Sequence, residues 1–113
     1  MKLKKIIIGF CFSVISSGLM AKNIGHGTIK GIKVFDAPGK KQTYIFFDDS
    51  ANLMEEACNG AAIITHTLHE PEAMQQMVSV ALAAYMGGKK IRAYSYTDGS
   101  CETDMISIQE LYF

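Results

Sequence analysis

The sequence predicts a mainly β domain with one helix, in the order strand, strand, strand, helix, strand, strand. Short runs rich in β-branched and aromatic residues alternate with turns that contain glycine or proline, as strands and hairpins do. One later segment carries apolar residues at helical spacing instead. The first 21 residues have the composition of an export signal, so we expect the domain to begin after them.

The amino terminus carries the export signal. The chain opens with MKLKK, continues with an apolar stretch from Ile6 to Ile15, and reaches Ala21 through small residues. This order is typical of a secretory signal peptide, and we expect cleavage after Ala21. The stretch has about ten residues and a spanning helix needs about 20, so no membrane span is expected after cleavage. The sequence predicts Sec export, to the periplasm or outside the cell, of one domain, residues 22–113.

The charge of that domain argues against some partners. Residues 22–113 carry eight Lys and Arg against eleven Asp and Glu, a net charge near −3. Nucleic acids and anionic membranes attract clustered Lys and Arg, so neither is expected as a partner. The pairs Lys40-Lys41 and Lys89-Lys90 are interpreted as solvated turn residues.

The cysteine count predicts a disulfide. Removal of the signal leaves an even pair, Cys58 and Cys101. In an exported chain of this size, such a pair is expected to be oxidised. Closing this 44-residue loop stabilises the fold by about 4 kcal/mol in the chain-entropy model.

The first half of the domain reads as a hairpin followed by a loop. Residues 27–35 alternate in polarity but slip by one position at Gly31, which predicts a strand with a β-bulge. Residues 36–40 contain Pro and Gly and form a turn, and residues 42–47 form the second strand. Residues 48–52 are a polar loop. Residues 53–57 fit a helical turn or an extended piece, and both remain open.

The second half contains the helix between strands. Residues 61–68 are β-branched and predict the third strand. Pro71 between two glutamates marks the first helical turn, and Gly87-Gly88 ends the helix. Residues 90–97 form the fourth strand, residues 98–100 a turn, and residues 103–113 the fifth strand.

One side of the helix is expected to pack on the sheet, because its apolar residues recur at helical spacing. These residues are Met74, Met77, Val78, Ala81, Leu82 and Tyr85. Further apolar residues lie off that side, and they indicate either a deep core or contact with a second subunit. They are Val80, Ala83, Ala84 and Met86.

The order of elements is that of the OB-fold, a five-stranded, partly open barrel with its helix between the third and fourth strands. In that barrel the third and fifth strands run parallel as neighbours. Cys58 lies just before the third strand and Cys101 just before the fifth, so the two would be adjacent, as a disulfide requires. An α+β sandwich, with the helix on an open sheet, accommodates the same elements and remains the alternative.

No motif in the chain predicts catalysis or a metal site. His66 and His69 match neither orientation of the zinc protease signature and lack an evident third ligand. The Asp48-Asp49-Ser50 loop lacks the spacing and glycine of a calcium-binding EF-hand. No serine lies in a strained glycine elbow. We therefore expect a non-enzymatic protein without a metal or cofactor.

Aromatic residues provide the candidate binding surface. On the fourth strand Tyr94 and Tyr96 point to one face, and Ile91, Ala93 and Ser95 point to the other. Exposed tyrosines suit a sugar-binding face or a protein interface, because each combines an apolar ring with a polar tip. The ligand-binding candidates are Arg92, Tyr94, Ser95 and Tyr96.

The segment ALAAYMGGKKIRAY, residues 81–94, resembles the helix-to-strand passage of the B subunits of subtilase cytotoxin and typhoid toxin. In those proteins a helix that ends in an aromatic residue and Gly is followed by an apolar-Arg-apolar-Tyr strand. Their sugar-contacting Ser and Tyr align here with His26-Gly27 and Ser95, whereas Arg92 and Tyr94 agree in type.

The resemblance implies an OB-fold that assembles into a homopentamer, binds sialylated or related host glycans on the outer barrel surface, and joins a catalytic A subunit. A second hypothesis stays open beside it. The chain is equally suited to a periplasmic interaction domain, a monomer or dimer, that binds an envelope protein through its tyrosine-bearing strands.

Overall fold

The computed structural model describes residues 22–111. The expected signal peptide and residues 112–113 of the predicted fifth strand lie outside the described residues. The described chain forms seven strands, two short 3₁₀ turns and one α-helix. They are β1 (Lys22–Gly27), β2 (Ile29–Ala37), β3 (Lys40–Phe47), β4 (Asn52–Leu53), η1 (Glu56–Cys58), β5 (Ala61–Thr65), η2 (His66–Leu68), α1 (Pro71–Gly87), β6 (Ile91–Ser95) and β7 (Met105–Ile108).

These strands pair into two antiparallel sheets, in the orders β4-β1-β6-β7 and β2-β3-β5. The prediction of a mainly β domain with one helix is confirmed. The antiparallel pairings do not by themselves close the strands into a barrel. The links between the sheets include the chain through Thr28, where β1 passes into β2, and a parallel bridge between Ile63 of β5 and Glu102 in the segment before β7.

The first strand begins earlier than predicted. Pairing with β6 starts at Lys22, five residues before the expected start at Gly27, and Ile24 is buried. The sequence KNIGHG lacks the alternation that marks a half-buried strand, so local pattern does not reveal it. The register shift between Ile29 and Gly31 confirms the predicted bulge.

The third and fifth strands end sooner than their residues predict. The third strand stops at Thr65 because the backbone N–H of that residue donates to the Glu102 carboxylate, at 2.6 Å, and η2 follows. The fifth strand runs only over Met105–Ile108, after which the Gln109 N–H donates to the Lys90 carbonyl at 3.0 Å. Residues 53–57, left open above, contribute to β4 and η1.

The helix begins and ends as predicted, and four of the six residues expected on its packed side, Met74, Met77, Val78 and Ala81, pack on the core. Pro71 is its first residue, and Gly88 takes the left-handed conformation, φ 65°, that caps it. Ala81 and Ala84 are fully buried, whereas Leu82 and Tyr85, expected on the packed side, are 48% and 45% exposed. The small alanines let the helix backbone approach the sheets, which turns these larger side chains outward.

One core lies between the sheets and the helix. Its buried members come from β1, β2, β3, η1, β5, β6 and α1. They are Ile24, Ile29, Ile45, Phe47, Cys58, Ala62, Ile64, Ala81, Ala84, Ile91 and Ala93. Within residues 22–111, no helix is both long and apolar enough to cross a membrane.

The predicted disulfide is confirmed. Cys58 and Cys101 are joined, with their Cα atoms 5.5 Å apart. Beside the bridge, the N–H of Ile63 donates to the Cys101 carbonyl at 3.0 Å, and the N–H of Thr103 donates to the Ile63 carbonyl at 2.7 Å. The disulfide therefore lies where the segment before β7 meets β5.

We expect the double substitution Cys58→Ala/Cys101→Ala to lower the melting temperature by about 15 to 30 °C. The reason is that the loss of about 4 kcal/mol shifts a domain of this size by several degrees per kcal/mol. Calorimetry on the exported protein checks this, with the wild type under dithiothreitol as the control that removes only the bond. An unchanged melting temperature would contradict it.

We expect Gly27→Ala to destabilise the fold by about 1 to 3 kcal/mol, the usual cost of overpacking. A Cβ at this position would lie 2.4 Å from the Cβ of Ala51, so the loop after β3 would have to move. Gly31→Ala is the matched control, because its Cβ would meet nothing within 4 Å. Urea unfolding of both variants checks the difference, and equal stabilities would be the opposing result.

Candidate ligand-binding surface

Strand β6 presents alternate residues to the core and to the outside. Ile91, Ala93 and Ser95 are fully buried, while Arg92 and Tyr94 are half-buried on the outer face. Tyr96, just beyond the strand, is 71% exposed. The predicted division of this strand into an inner and an outer face is therefore confirmed.

The three outward side chains form a continuous row. The ring centroids of Tyr94 and Tyr96 lie 5.4 Å apart with the rings almost perpendicular, a favourable edge-to-face pair. The Arg92 guanidinium carbon lies 5.1 Å from the Tyr94 centroid, within the range of a cation–π contact. We call Arg92, Tyr94 and Tyr96 the β6 row.

Ser95, the fourth candidate residue, is fully buried on the opposite face of β6 from the row. Its hydroxyl accepts the N–H of Thr97 at 3.2 Å and lies 3.5 Å from Oδ2 of Asp104. The same carboxylate oxygen accepts the N–H of Tyr96 at 2.9 Å. The Asp104 N–H in turn donates to the Tyr94 carbonyl at 2.8 Å. These hydrogen bonds fix the backbone positions of Tyr94 and Tyr96.

Strand β1 adds two polar residues: Asn23, which the sequence did not indicate, and His26, which the resemblance aligned with a sugar-contacting position. Asn23 pairs with Tyr94 in register, and its Oδ1 accepts the Arg92 Nε–H at 2.6 Å. His26 pairs with Arg92, and its Nε2–H donates to the Gln109 carbonyl at 3.0 Å. Both residues precede the predicted start of the first strand, so only the pairing of β1 with β6 places them beside the row.

This arrangement suits the binding of a ligand. The β6 row offers ring faces, a phenol hydroxyl at an exposed position and a guanidinium group. Rings of this kind pack against apolar ligand surfaces, and the polar groups provide hydrogen bonds. Asn23 and His26 border the row, and Asn23 holds the Arg92 guanidinium in position.

The two histidines at the start of the helix bond to separate protein partners. His66 Nε2 lies 2.8 Å from the Thr43 hydroxyl, and His69 Nε2 lies 2.8 Å from a Glu102 carboxylate oxygen. Among the residues that the structure describes, no group of three or more His, Cys, Asp or Glu side chains is placed to hold a metal ion.

The acidic loop after β3 is organised as a turn. Asp48 Oδ1 accepts the N–H of Asp49 at 2.7 Å, and the Asp48 carbonyl accepts the N–H of Ala51 at 2.9 Å. Asp49 forms an exposed ion pair with Lys30 at 3.4 Å. The Asp48 carboxylate therefore stabilises the turn, and the Asp49 carboxylate pairs with a lysine of the adjacent strand β2.

The tip of the first hairpin carries another exposed ion pair, between Lys41 and Asp36. The Lys41 ammonium holds the pKa of the Asp36 carboxyl below its ordinary value, through a hydrogen bond and then through charge attraction. The pair is solvated and its contribution to stability is small. It does, however, neutralise Asp36, the one carboxylate of the hairpin strands.

The solvent side of α1 is apolar over its carboxyl-terminal half. Leu82 and Tyr85 are about half exposed and Met86 is 78% exposed. From Ala73 to Gly88 the sequence contains no charged residue. A surface of this composition is typical of a contact with another protein.

Comparison with known proteins gives no relative. No protein-family model matches the chain, and neither a curated protein nor a solved structure matches it significantly. The similarity of residues 81–94 to toxin B subunits therefore stays a prediction.

Proposed function

We propose that this chain is an exported, non-catalytic binding module that holds a glycan on the outer face of β6. The observation that carries the proposal is the β6 row, in which Tyr96 stands exposed beside Tyr94 and Arg92. A pyranose ring has an apolar C–H face that packs on a tyrosine ring. Its hydroxyls hydrogen-bond to neighbouring polar groups, which here include the Arg92 guanidinium.

The rigidity of the row supports the same function. Tyr96 is fixed through its backbone by Asp104, and Arg92 is fixed by Asn23. Side chains that are ordered before the ligand arrives lose less entropy on binding, which raises the affinity for a hydroxyl-rich, well-solvated ligand such as a sugar.

The proposed architecture is an OB-fold-like barrel that is open between its two sheets. Strands β1 and β2 together act as the long first strand, and they pass from one sheet to the other at Thr28. The parallel bridge between Ile63 and Glu102 corresponds to the contact between the third and fifth strands of that fold. The alternative α+β sandwich does not require these two segments to pair.

Self-association through the helix forms the second part of the proposal. The exposed apolar side of α1, with Leu82, Tyr85 and Met86, favours an equally apolar partner, and a second copy of this chain offers one. A homopentamer that presents five β6 rows would multiply a weak affinity for each glycan. A catalytic A subunit would then join the assembled ring.

We expect Tyr96→Ala to weaken glycan binding by about tenfold or more, because an exposed ring that the sugar covers on binding contributes about 1.4 kcal/mol or more. The measurement is an array of sialylated and neutral glycans, followed by calorimetry with the best ligand. Leu68→Ala is the control, since it removes a side chain of comparable exposure, 67%, from η2.

Two results would refute the glycan proposal. One is an array on which the wild-type protein binds no glycan saturably. The other is equal affinity of wild type and Tyr96→Ala for the ligand found. Either result would favour the envelope-protein interaction domain as the function of the β6 row.

We expect light scattering of the exported protein to give the mass of a homo-oligomer, five chains in the assembly proposed here. Leu82→Glu/Met86→Glu should dissociate it, because burying two carboxylates in an apolar contact is costly. Val34→Glu, at another exposed apolar position, is the control. A monomeric wild-type protein would exclude the ring. The exposed apolar side of α1 would then favour an envelope protein as its partner.

A further inference from the structure

A second surface lies on the outer face of the β2–β3 hairpin, on the other sheet. Antiparallel register brings Gly31 opposite Phe46, Lys33 opposite Tyr44 and Phe35 opposite Gln42. All of these side chains point away from the core, since Thr43, Ile45 and Phe47 on β3 point into it. We call Lys33, Phe35, Lys40, Tyr44 and Phe46 the hairpin face.

Three half-buried rings form a ladder along this face. The centroids of Phe35 and Tyr44 lie 5.3 Å apart, and those of Tyr44 and Phe46 lie 5.9 Å apart. From Phe46 to Gln42 the strand rises about 14 Å, at about 3.4 Å per residue. A row of rings of this length presents apolar surface to an elongated ligand rather than to a single small molecule.

Two lysines lie over the rings. Lys40 Nζ is 4.3 Å from the Phe35 centroid and 5.1 Å from that of Tyr44, and Lys33 Nζ is 5.6 Å from the Phe46 centroid. Both side chains are exposed. Among the residues described, neither ammonium group forms an ion pair, whereas Lys30 and Lys41 pair with Asp49 and Asp36.

The charge of the hairpin is opposite to that of the domain. Residues 29–47 contain four lysines and one carboxylate, a local charge of +3 in a domain of net charge near −3. The sequence predicts Lys40 as a solvated turn residue, which is the simplest role for a lysine on an exposed hairpin. The placement of the lysines along an aromatic ladder instead creates a positive surface with apolar patches between the charges.

Shallow pockets lie at both ends of the ladder. One, of about 330 Å³, is lined by Lys30, Gly31, Lys33 and Phe46. It is open because Gly31 has no side chain, and a Cβ there would meet nothing within 4 Å. The other, of about 320 Å³, is lined by residues of the turn, β3, β5 and η2, namely Gly39, Lys40, Lys41, Gln42, Thr65 and Thr67.

We propose that the hairpin face binds an acidic carbohydrate chain, with sugar rings on Phe35, Tyr44 and Phe46 and carboxylates on Lys33 and Lys40. Each lysine can donate a charge-assisted hydrogen bond to a carboxylate of the ligand, whereas the aromatic ring beneath it provides no such acceptor. The sugar C–H faces cover the rings, and the open notch at Gly31 admits a terminal residue.

The shape and chemistry of the face favour a carbohydrate over other polyanions. A sugar chain alternates apolar ring faces with carboxylates, as the hairpin face alternates rings with lysines. A nucleic acid brings a denser charge than two unpaired lysines can neutralise, and the net charge of the domain opposes it. This site lies on a different sheet from the β6 row and does not depend on the function proposed for that row.

The test uses hexagalacturonate as the probe and its fully methyl-esterified form as the neutral control, with calorimetry on the exported protein. We expect saturable binding of the acid that weakens from 50 to 300 mM NaCl, because salt screens exposed charges. Lys33→Gln/Lys40→Gln should weaken it at least about tenfold. Lys89→Gln/Lys90→Gln, an equal loss of charge at the helix exit, should leave it unchanged.

Gly31→Val gives a second, charge-neutral test. A β-branched residue suits a strand, and its side chain would fill the notch beside Phe46, so binding should weaken while the melting temperature stays the same. Tyr96→Ala should leave hexagalacturonate binding intact, which separates this site from the β6 row.

Three results would overturn the proposal. The first is equal affinity for hexagalacturonate and its methyl ester. The second is an equal loss of hexagalacturonate affinity in Lys33→Gln/Lys40→Gln and in Lys89→Gln/Lys90→Gln. The third is tighter binding of a DNA hexamer or a hexaglutamate peptide than of hexagalacturonate. The last result would show a general polyanion surface rather than a carbohydrate site. Loss of hexagalacturonate binding in Lys33→Gln/Lys40→Gln and in Gly31→Val, but not in the control pair, would support the proposal.

Discussion

The junction between β5 and the segment before β7 holds the two sheets together, and the rest of the structure depends on it. Two backbone hydrogen bonds join Ile63 to this segment on either side of Glu102, and the disulfide lies beside them. The Glu102 carboxylate accepts from the Thr65 hydroxyl at 2.6 Å and contacts His69 at 2.8 Å, which adds the entry of the helix. Since β7 pairs with β6, this junction also fixes the position of the β6 row.

The same constraint allows one small core to support two outward faces. The long first strand crosses from one sheet to the other at Thr28, and the glycine before it leaves room for the loop at Ala51. Each sheet therefore buries one side against the shared core and keeps the other in solvent. The β6 row and the hairpin face lie on different sheets, so a ligand on one need not disturb the other.

The two faces use similar groups in different electrostatic settings. On the β6 row a single arginine is bonded to Asn23 and stacked against Tyr94, so ring surface and hydrogen bonds dominate. On the hairpin face Lys33 and Lys40 remain without carboxylate partners among the described residues. The first setting suits a ligand recognised by its shape and hydroxyls, and the second a ligand that brings negative charge.

The sequence by itself determined a mainly β domain with one helix, the bulge at Gly31, the helix limits, the disulfide, and the inner and outer sides of β6, because these follow from short-range periodicity, turn chemistry and cysteine parity. Only the tertiary structure decided that β1 starts at Lys22, that Leu82 is exposed, and that Lys40 lies over aromatic rings. Each of these depends on residues distant in sequence, namely β6 for the strand, the contact of α1 with the sheets for the helix face, and the neighbouring strand for the lysine. Local pattern carries no information about such partners, since they meet only when the chain folds.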